Sequence, residues 1–360
     1  MKFIFCEGYS INNYNGYLFR YNKGVSGSHK GCLYLAEAIA QDKTHIVEYV
    51  SLFNNLIETT YLNVKYTNYN NFNKQNCDVI ITGNDLNTLQ ILDKITDYKK
   101  IVILTHNDLY NYKNKRRNKI NINKLIIGYI SQFAKTNILN VQPFLQKCDN
   151  ILLYNSIDMN DIKYDGIKLK KSLAYFACIG RGFKFVTKIM EKLPEFKLYT
   201  NTYSDEYRNS LKINTNIILS KNTSTYEIFR TLNKCKYFIY PLINLDDNYI
   251  HYDTFGYVVL EALLHGVIVI APKIKVYEEL YGDAICYINT DGIIPQDDLC
   301  FWKKHNSNFG YPLLQKYVDK INELENDRSL RKSYINKGLL LSNKFNNITI
   351  KNKFLTDLNL

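Results

Sequence analysis

Between Phe238 and Pro272 the chain reads FIYPLINLDDNYIHYDTFGYVVLEALLHGVIVIAP, and the types and spacing of its polar residues suit a phosphate-bearing ligand. A strand ends at Tyr240-Pro241, a polar loop follows, and a helix begins near Phe255. The first turn of a helix carries unpaired N–H groups and a partial positive charge, which attract a diphosphate. Gly256 has no Cβ, so the backbone can approach that ligand closely. Glu261, about one turn on, can offer two carboxylate oxygens to the vicinal hydroxyls of a ribose. Asp253 lies eight residues before Glu261. It can accept hydrogen bonds from a sugar beyond the phosphates, or cap the helix.

These residues need a scaffold, and the hydrophobic pattern supplies one. In the first half, Lys2–Cys6, His45–Val50, Asp78–Thr82, Lys100–Thr105 and Asn150–Tyr154 read as buried strands. Gly31–Ala40, Asn84–Lys94 and Lys124–Asn137 have helical length and spacing. In the second half, Leu173–Ile179, Lys197–Tyr199, Ile217–Leu219, Tyr237–Tyr240, Val267–Ala271 and Ala284–Tyr287 read as strands. Lys184–Glu191, Ser224–Lys234, Phe255–His265 and Val276–Leu280 read as helices, and the region from Pro312 onward looks helical. Continuous apolar strands alternating with helices imply α/β architecture with parallel sheets covered on both faces. The polar stretch Asp158–Lys171 is the best linker. Two Rossmann-like parallel-sheet domains facing a central cleft follow, over residues 1–160 and 161–340, with a helix near 340–360 that can pack back onto the first.

The Asp253–Ala271 stretch resembles the signature of the retaining GT-B glycosyltransferases of the group-1 family, the family 4 type that includes sucrose synthases and bacterial mannosyltransferases. Their pattern is an acidic residue, seven others and a Glu, set around Phe-Gly, then Glu-Ala, a Gly and a strand of the type PVIA. This chain has Asp253, Phe255-Gly256, Glu261-Ala262, Gly266 and Val267–Ala271. Asp stands at 253 where Glu is usual, which shortens the reach by one methylene and keeps the charge. The match is strong over 172–290 and weak over 1–160.

The resemblance implies an N-terminal domain on the acceptor side and a C-terminal domain that binds a nucleoside-diphosphate sugar. Arg181 and Lys184, in Gly180-Arg181-Gly182-Phe183-Lys184, would bind the donor diphosphate, with Lys188 the other candidate for the lysine. Phe255, Gly256, Tyr257 and Glu261 would complete the donor site. Gly27, in Gly24-Val25-Ser26-Gly27-Ser28-His29, would match the glycine-rich loop after the first strand. His106, with Asn107, would match the histidine near the transferred sugar, so His106 and Asp253 are the catalytic candidates. Each has a plainer reading: a solvated loop charge for Arg181, a turn glycine for Gly27, a satisfied polar residue for His106. His29 carries a weaker signal, and His251 and His265 read as structural or exposed. Glu278-Glu279 resembles the acidic pair that follows the family's Pro-rich turn.

The implied reaction moves a sugar from the donor to an acceptor hydroxyl with retained configuration, protein cations standing in for a metal. No Asp-x-Asp cluster argues for a divalent ion, Asp246 and Asp247 being adjacent, and no cofactor is implied beyond the donor. A non-catalytic scaffold of the same fold is the alternative, and an epimerase or donor hydrolase a third.

Composition bounds the rest. The 360 residues carry 46 Lys+Arg against 34 Asp+Glu, a net +12 that favours anionic partners without choosing among them. The basic segment Lys113–Lys119 is a solvated loop, or a contact for an anionic membrane surface or lipid-linked acceptor. Nucleic acid is disfavoured because no recognised module accompanies it. With 46% hydrophobic and 22% charged residues, general disorder is excluded. The 8 cysteines include no C-x-x-C pair and read as buried residues of a reducing compartment. With no signal-like start and no long apolar run, the expected location is cytoplasmic, at most peripheral to a membrane.

Overall fold

A computed structural model describes residues 1–7, 15–22, 25–52, 58–83, 86–106, 120–201, 216–220, 224–244, 249–251, 253–291, 302–304 and 310–359. By its contacts the chain divides into Met1–Met159 with Lys344–Leu360, and Asn160–Asn343.

The first unit holds eight strands: β1 Lys2–Glu7, β2 Ile46–Ser51, β3 Thr59–Tyr61, β4 Val64–Asn68, β5 Val79–Thr82, β6 Lys100–Thr105, β7 Leu125–Tyr129 and β8 Asp149–Leu152. Their order is β3-β4-β2-β1-β5-β6-β7-β8, parallel except for the β3–β4 hairpin. Runs such as Phe3-Ile4-Phe5-Cys6 and Ile101–Leu104 are buried, as strands covered on both faces must be. The order reverses between β1 and β5, and a crevice opens at the carboxyl ends of strands at such a point. The chain returns to this unit at its end, where the Asn347 amide donates to the Ile157 carbonyl at 3.0 Å and the Asn347–Asp357 helix packs on the Gly27–Ala40 helix.

The second unit holds β9 Ser172–Tyr175, β10 Lys197–Asn201, β11 Ile217–Ser220, β12 Tyr237–Ile239, β13 Ile243–Asn244, β14 Tyr249–His251, β15 Ile268–Pro272, β16 Cys286–Ile288 and β17 Trp302–Lys304. Six form a parallel sheet in the order β11-β10-β9-β12-β15-β16, reversing between β9 and β12. Both units are therefore Rossmann-like parallel sheets.

Four expectations need correction. The helix expected over Lys124–Asn137 is two elements: Leu125–Tyr129 is a strand and the helix runs Gln132–Val141. A short apolar run fits either element by period, and here Leu-Ile-Ile-Gly-Tyr fills the gap between β6 and β8. Ser131 then caps the helix, its Oγ accepting the Ala134 amide at 3.0 Å. Leu86–Lys94 is a 3-10 helix rather than an α-helix. The β3–β4 hairpin had no apolar run to reveal it, and it turns on Leu62 and Asn63 at φ 47° and 62°, the geometry usually signalled by glycine. The loop after Pro241 is not wholly irregular, since β13 and β14 pair within it and β17 joins them, antiparallel.

The linker docks along part of its length. Lys168 Nζ donates to the carbonyls of Leu232 (3.2 Å), Asn233 (2.9 Å) and His265 (2.6 Å), tying together the ends of two helices, and burial pushes this ammonium down to about 8.

Candidate functional site

The carboxyl ends of β9 and β12 bring together residues distant in sequence. After β9, the turn Ile179–Arg181 ends in Gly182 at φ 112°, and the Phe183–Lys192 helix begins. A Cβ at 182 would sit 2.5 Å from Pro241 Cγ and 3.0 Å from the Ile243 carbonyl, so only glycine lets these two loops meet. Beside them Leu242, fully buried, holds φ at 60°, a strained value for leucine.

Arg181 is the centre of the cluster. Its Nη1 donates to Tyr240 Oη at 2.8 Å and to Asp253 Oδ1. The other carboxylate oxygen, Asp253 Oδ2, accepts from Tyr277 Oη at 2.7 Å. Asp253 is buried, so its charge depends on these two partners. Burial works against the Arg181 charge, but Tyr240 and its neighbours more than offset this, and the guanidinium is held well above its usual range. Tyr277, by contrast, is pushed well up by burial and stays a neutral donor.

The helix after Asp253 runs Tyr257–Leu264, two residues later than expected. Its cap is Gly256 at φ 71°, and no side chain caps it, so Asp253 does not. A Cβ at 256 would lie 2.8 Å from Tyr277 Cε1 and 3.3 Å from Asp253 Oδ2. Phe255 and Tyr257 are buried aromatics, Phe255 packing edge-on against Tyr281, whose hydroxyl donates to the Phe255 carbonyl at 2.6 Å. Their side chains set the loop, and only the backbone of this turn is left to meet a ligand. Glu261 lies on that helix and is 2% exposed. Lys184 is exposed on the first turn of its helix, whereas Lys188 pairs with Glu191 at 2.8 Å.

A second polar cluster stands in the first unit, at the carboxyl ends of β1, β5, β6 and β8. His106 follows β6, is 5% exposed, and its Nε2 meets Asn155 Oδ1 at 2.9 Å. Burial, offset in part by Asn155, pushes its pKa down to about 4, so it is neutral near pH 7. A Cβ at Gly31 would sit 2.3 Å from Asn155 Oδ1. His29 Nε2 lies 3.1 Å from Glu7 Oε2 at the end of β1, and its Nδ1 lies 2.5 Å from Ser26 Oγ. Gly27 opens the Gly27–Ala40 helix. His265 is structural, Nδ1 donating to the Glu261 carbonyl at 2.7 Å.

Sequence reasoning missed Tyr240, Tyr277, Glu7 and Asn155. Each sits at or just past a strand end or in a following helix, a place that periodicity marks as scaffold. Gly24, Asn107, Lys113–Lys119, Asp246 and Asp247 lie outside the described residues. Among the described residues no three His, Cys, Asp or Glu side chains group as metal ligands, and no helix is long and apolar enough to cross a membrane.

No protein-family model matches the chain, and no curated protein matches it. Solved structures do. The pneumococcal O-GlcNAc transferase GtfA, in complex with UDP and GlcNAc, superposes with a TM-score of 0.54 at 13% identity, over 80% of this chain. This chain spans only 57% of that protein's length. The lipopolysaccharide outer core galactosyltransferase WaaB gives 0.55 at 12% identity, covering 100% of this chain and 99% of that one. T4 phage BGT, in complex with UDP and Mn2+, gives 0.56 at 13% identity and covers 100% of both. At such identities the likeness establishes the fold, which is GT-B.

Proposed function

We propose that the protein transfers a sugar from a nucleoside-diphosphate donor to an acceptor hydroxyl, with Asn160–Asn343 holding the donor and Met1–Met159 the acceptor. The observation that carries this is Arg181, half-buried at the switch point of the second sheet beside the uncapped start of the Tyr257–Leu264 helix. Nη1 is committed to Tyr240 and Asp253, while Nε and Nη2 hydrogen-bond no described residue and suit phosphate oxygens. As the anomeric C–O bond breaks, charge grows on the departing diphosphate. Arg181, the helix start at Gly256–Tyr257 and the nearby Lys184 would stabilise it.

Retention of configuration is part of the proposal, carried over from the Asp253–Ala271 resemblance. Metal independence is part of it too, supported by the two cations. A UDP-linked donor fits the UDP bound in the pneumococcal and phage structures. The acceptor is a glycan, a lipid-linked sugar or a small molecule, and membrane contact through Lys113–Lys119 belongs to the lipid-linked case. The non-catalytic reading keeps one support: Arg181 and Asp253 already neutralise each other.

A thermal-shift panel of UDP, GDP, ADP, TDP and CMP tests the donor site, with Arg181→Met and Glu261→Ala alongside. A nucleotide at 100 times its Kd adds about 2.7 kcal/mol. One nucleotide should shift wild type and not Arg181→Met, with EDTA making no difference. Proton NMR of the product's anomeric signal then reads retention. No shift with any nucleotide favours the scaffold.

A further inference from the structure

The linker stretch at the start of the second unit concentrates apolar and basic side chains that the donor site does not use. Lys163–Lys171 reads KYDGIKLKK. Tyr164, Ile167 and Leu169 are exposed, and Ile167, at 73%, is the most exposed large apolar residue among the described ones. Single exposed apolar residues are ordinary, but three within six positions on one turn mark an interaction site.

The turn is fixed from beneath. Lys168 points inward, its ammonium bonded to the carbonyls of Leu232, Asn233 and His265. Asp165 Oδ1 accepts the Ile167 amide at 2.9 Å, and Oδ2 accepts the Asn233 side-chain amide at 3.1 Å. The Leu169 amide donates to the Lys234 carbonyl at 2.8 Å. The Tyr164 ring covers Gly266, where a Cβ would fall 2.4 Å from Tyr164 Cε2. Around this frame, Lys163, Lys170, Lys197 and Lys234 are exposed and form no ion pair with a described residue. Lys171 pairs with Glu195 at 3.4 Å, and its carbonyl accepts the Lys197 amide at 2.9 Å. The face lies where β9, β10 and β12 begin, at the end of the sheet opposite Arg181.

We propose that this turn anchors the protein to an anionic lipid surface. Ile167 and Leu169 enter the headgroup layer, and the surrounding lysines meet the lipid phosphates. Charge selects an anionic partner, and size selects lipid over protein. A stable protein interface takes about 800 Å2 from each partner, which one six-residue turn cannot supply. A bilayer needs no complementary shape, and an apolar insertion beside a basic patch is enough for reversible binding. Arg181, at the far end of the sheet, stays open to a water-soluble ligand. The basic segment Lys113–Lys119 has no part in this face.

Sedimentation of the full chain with vesicles tests the anchor without turnover, so the donor reading does not enter. Wild type should bind phosphatidylcholine vesicles containing about 30% phosphatidylserine, let go in high salt, and ignore pure phosphatidylcholine. Each lysine near an anionic surface strengthens binding about fivefold, so Lys170→Gln/Lys171→Gln should bind about 25-fold more weakly. Ile167→Asp should lose about tenfold. Ile46→Asp, at a site 60% exposed on the first unit, should bind as wild type does. These three variants alter exposed side chains, so Tm should not move. Trp302→Phe removes the chain's single tryptophan. In that background Ile167→Trp should emit further to the blue when vesicles are added, and brominated lipid should quench it. A wild type that ignores anionic vesicles overturns the proposal and leaves the lysines to an acidic protein. Undiminished binding by Ile167→Asp and Lys170→Gln/Lys171→Gln overturns it too, moving the membrane contact to another surface such as Lys113–Lys119. Equal losses in Ile167→Asp and Ile46→Asp do the same, since they report net charge alone.

Discussion

Replacing Gly256 by alanine tests the link between backbone and site, because the molecule contains its own control. Gly256 and Gly166 share a left-handed backbone, at φ 71° and 77°. An alanine pays about 1–2 kcal/mol for that conformation at either place. The surroundings differ. A Cβ at 166 meets nothing within 4 Å, whereas at 256 it lies 2.8 Å from Tyr277 Cε1 and 3.3 Å from Asp253 Oδ2. Tyr277 is fully buried and its ring cannot swing into solvent. Overpacking of this kind costs about 1–3 kcal/mol. If the ring shifts, its 2.7 Å bond to Asp253 weakens as well, a hydrogen bond to a charge worth about 1.5–3 kcal/mol. Gly256→Ala should therefore be less stable than Gly166→Ala by at least ~2 kcal/mol. For a unit the size of Asn160–Asn343 that is a Tm lower by about 4–8 °C. Differential scanning calorimetry on both variants reads it, and Gly256→Ala should also lose the nucleotide-induced shift. Equal Tm values for the two variants would refute the reasoning, since they would mean that Tyr277 and Asp253 do not press on the turn.

Asp253→Asn should lower stability by about 2 kcal/mol by leaving Arg181 without its counter-charge. It should nevertheless tighten nucleoside-diphosphate binding about fivefold by calorimetric titration, a carboxylate no longer competing with phosphate for the guanidinium. His106 and His265 are each pushed by burial from 6.5 to about 4, so the unfolded chain binds more protons between those values. Their contribution is fully present above pH 6.5 and lost as pH falls toward 4, about 3 kcal/mol each at 1.36 kcal/mol per pH unit. Urea midpoints should fall over that window, and less steeply in a His106→Gln/His265→Gln variant. In the first unit, Arg20 and Glu37 are buried and paired through two bonds of 2.9 and 2.8 Å. Arg20→Met or Glu37→Gln alone should cost about 3–5 kcal/mol by urea unfolding, and an Arg20→Met/Glu37→Leu double variant less than the sum of the two.

Much of this protein is legible in its residues alone. Buried parallel strands announce themselves as apolar runs, because a strand covered on both faces has no polar side to show. That is why β1, β2, β5, β6, β9, β10, β12 and β15 sit where the pattern placed them to within about four residues. The Asp253-x-Phe255-Gly256 turn before a helix was equally plain, since a glycine cap and a helix start are local events. Local sequence could not separate the β7 strand from the helix after it, because a five-residue apolar run satisfies both periods and only the gap between β6 and β8 chooses. Nor could it reveal the antiparallel β14, whose pairing with β17 spans some fifty residues. The site shows the same division. Arg181 and Asp253 each stood out, but that they bind one another depends on the crossovers that deliver β12 to the side of β9. Tyr240, Tyr277, Glu7 and Asn155 are ordinary residues until the sheets assemble, and tertiary structure alone makes a carboxylate at the end of β1 the partner of a histidine twenty-two residues later. Secondary structure follows from neighbours along the chain. A site at a switch point follows from strand order, which no stretch of sequence contains.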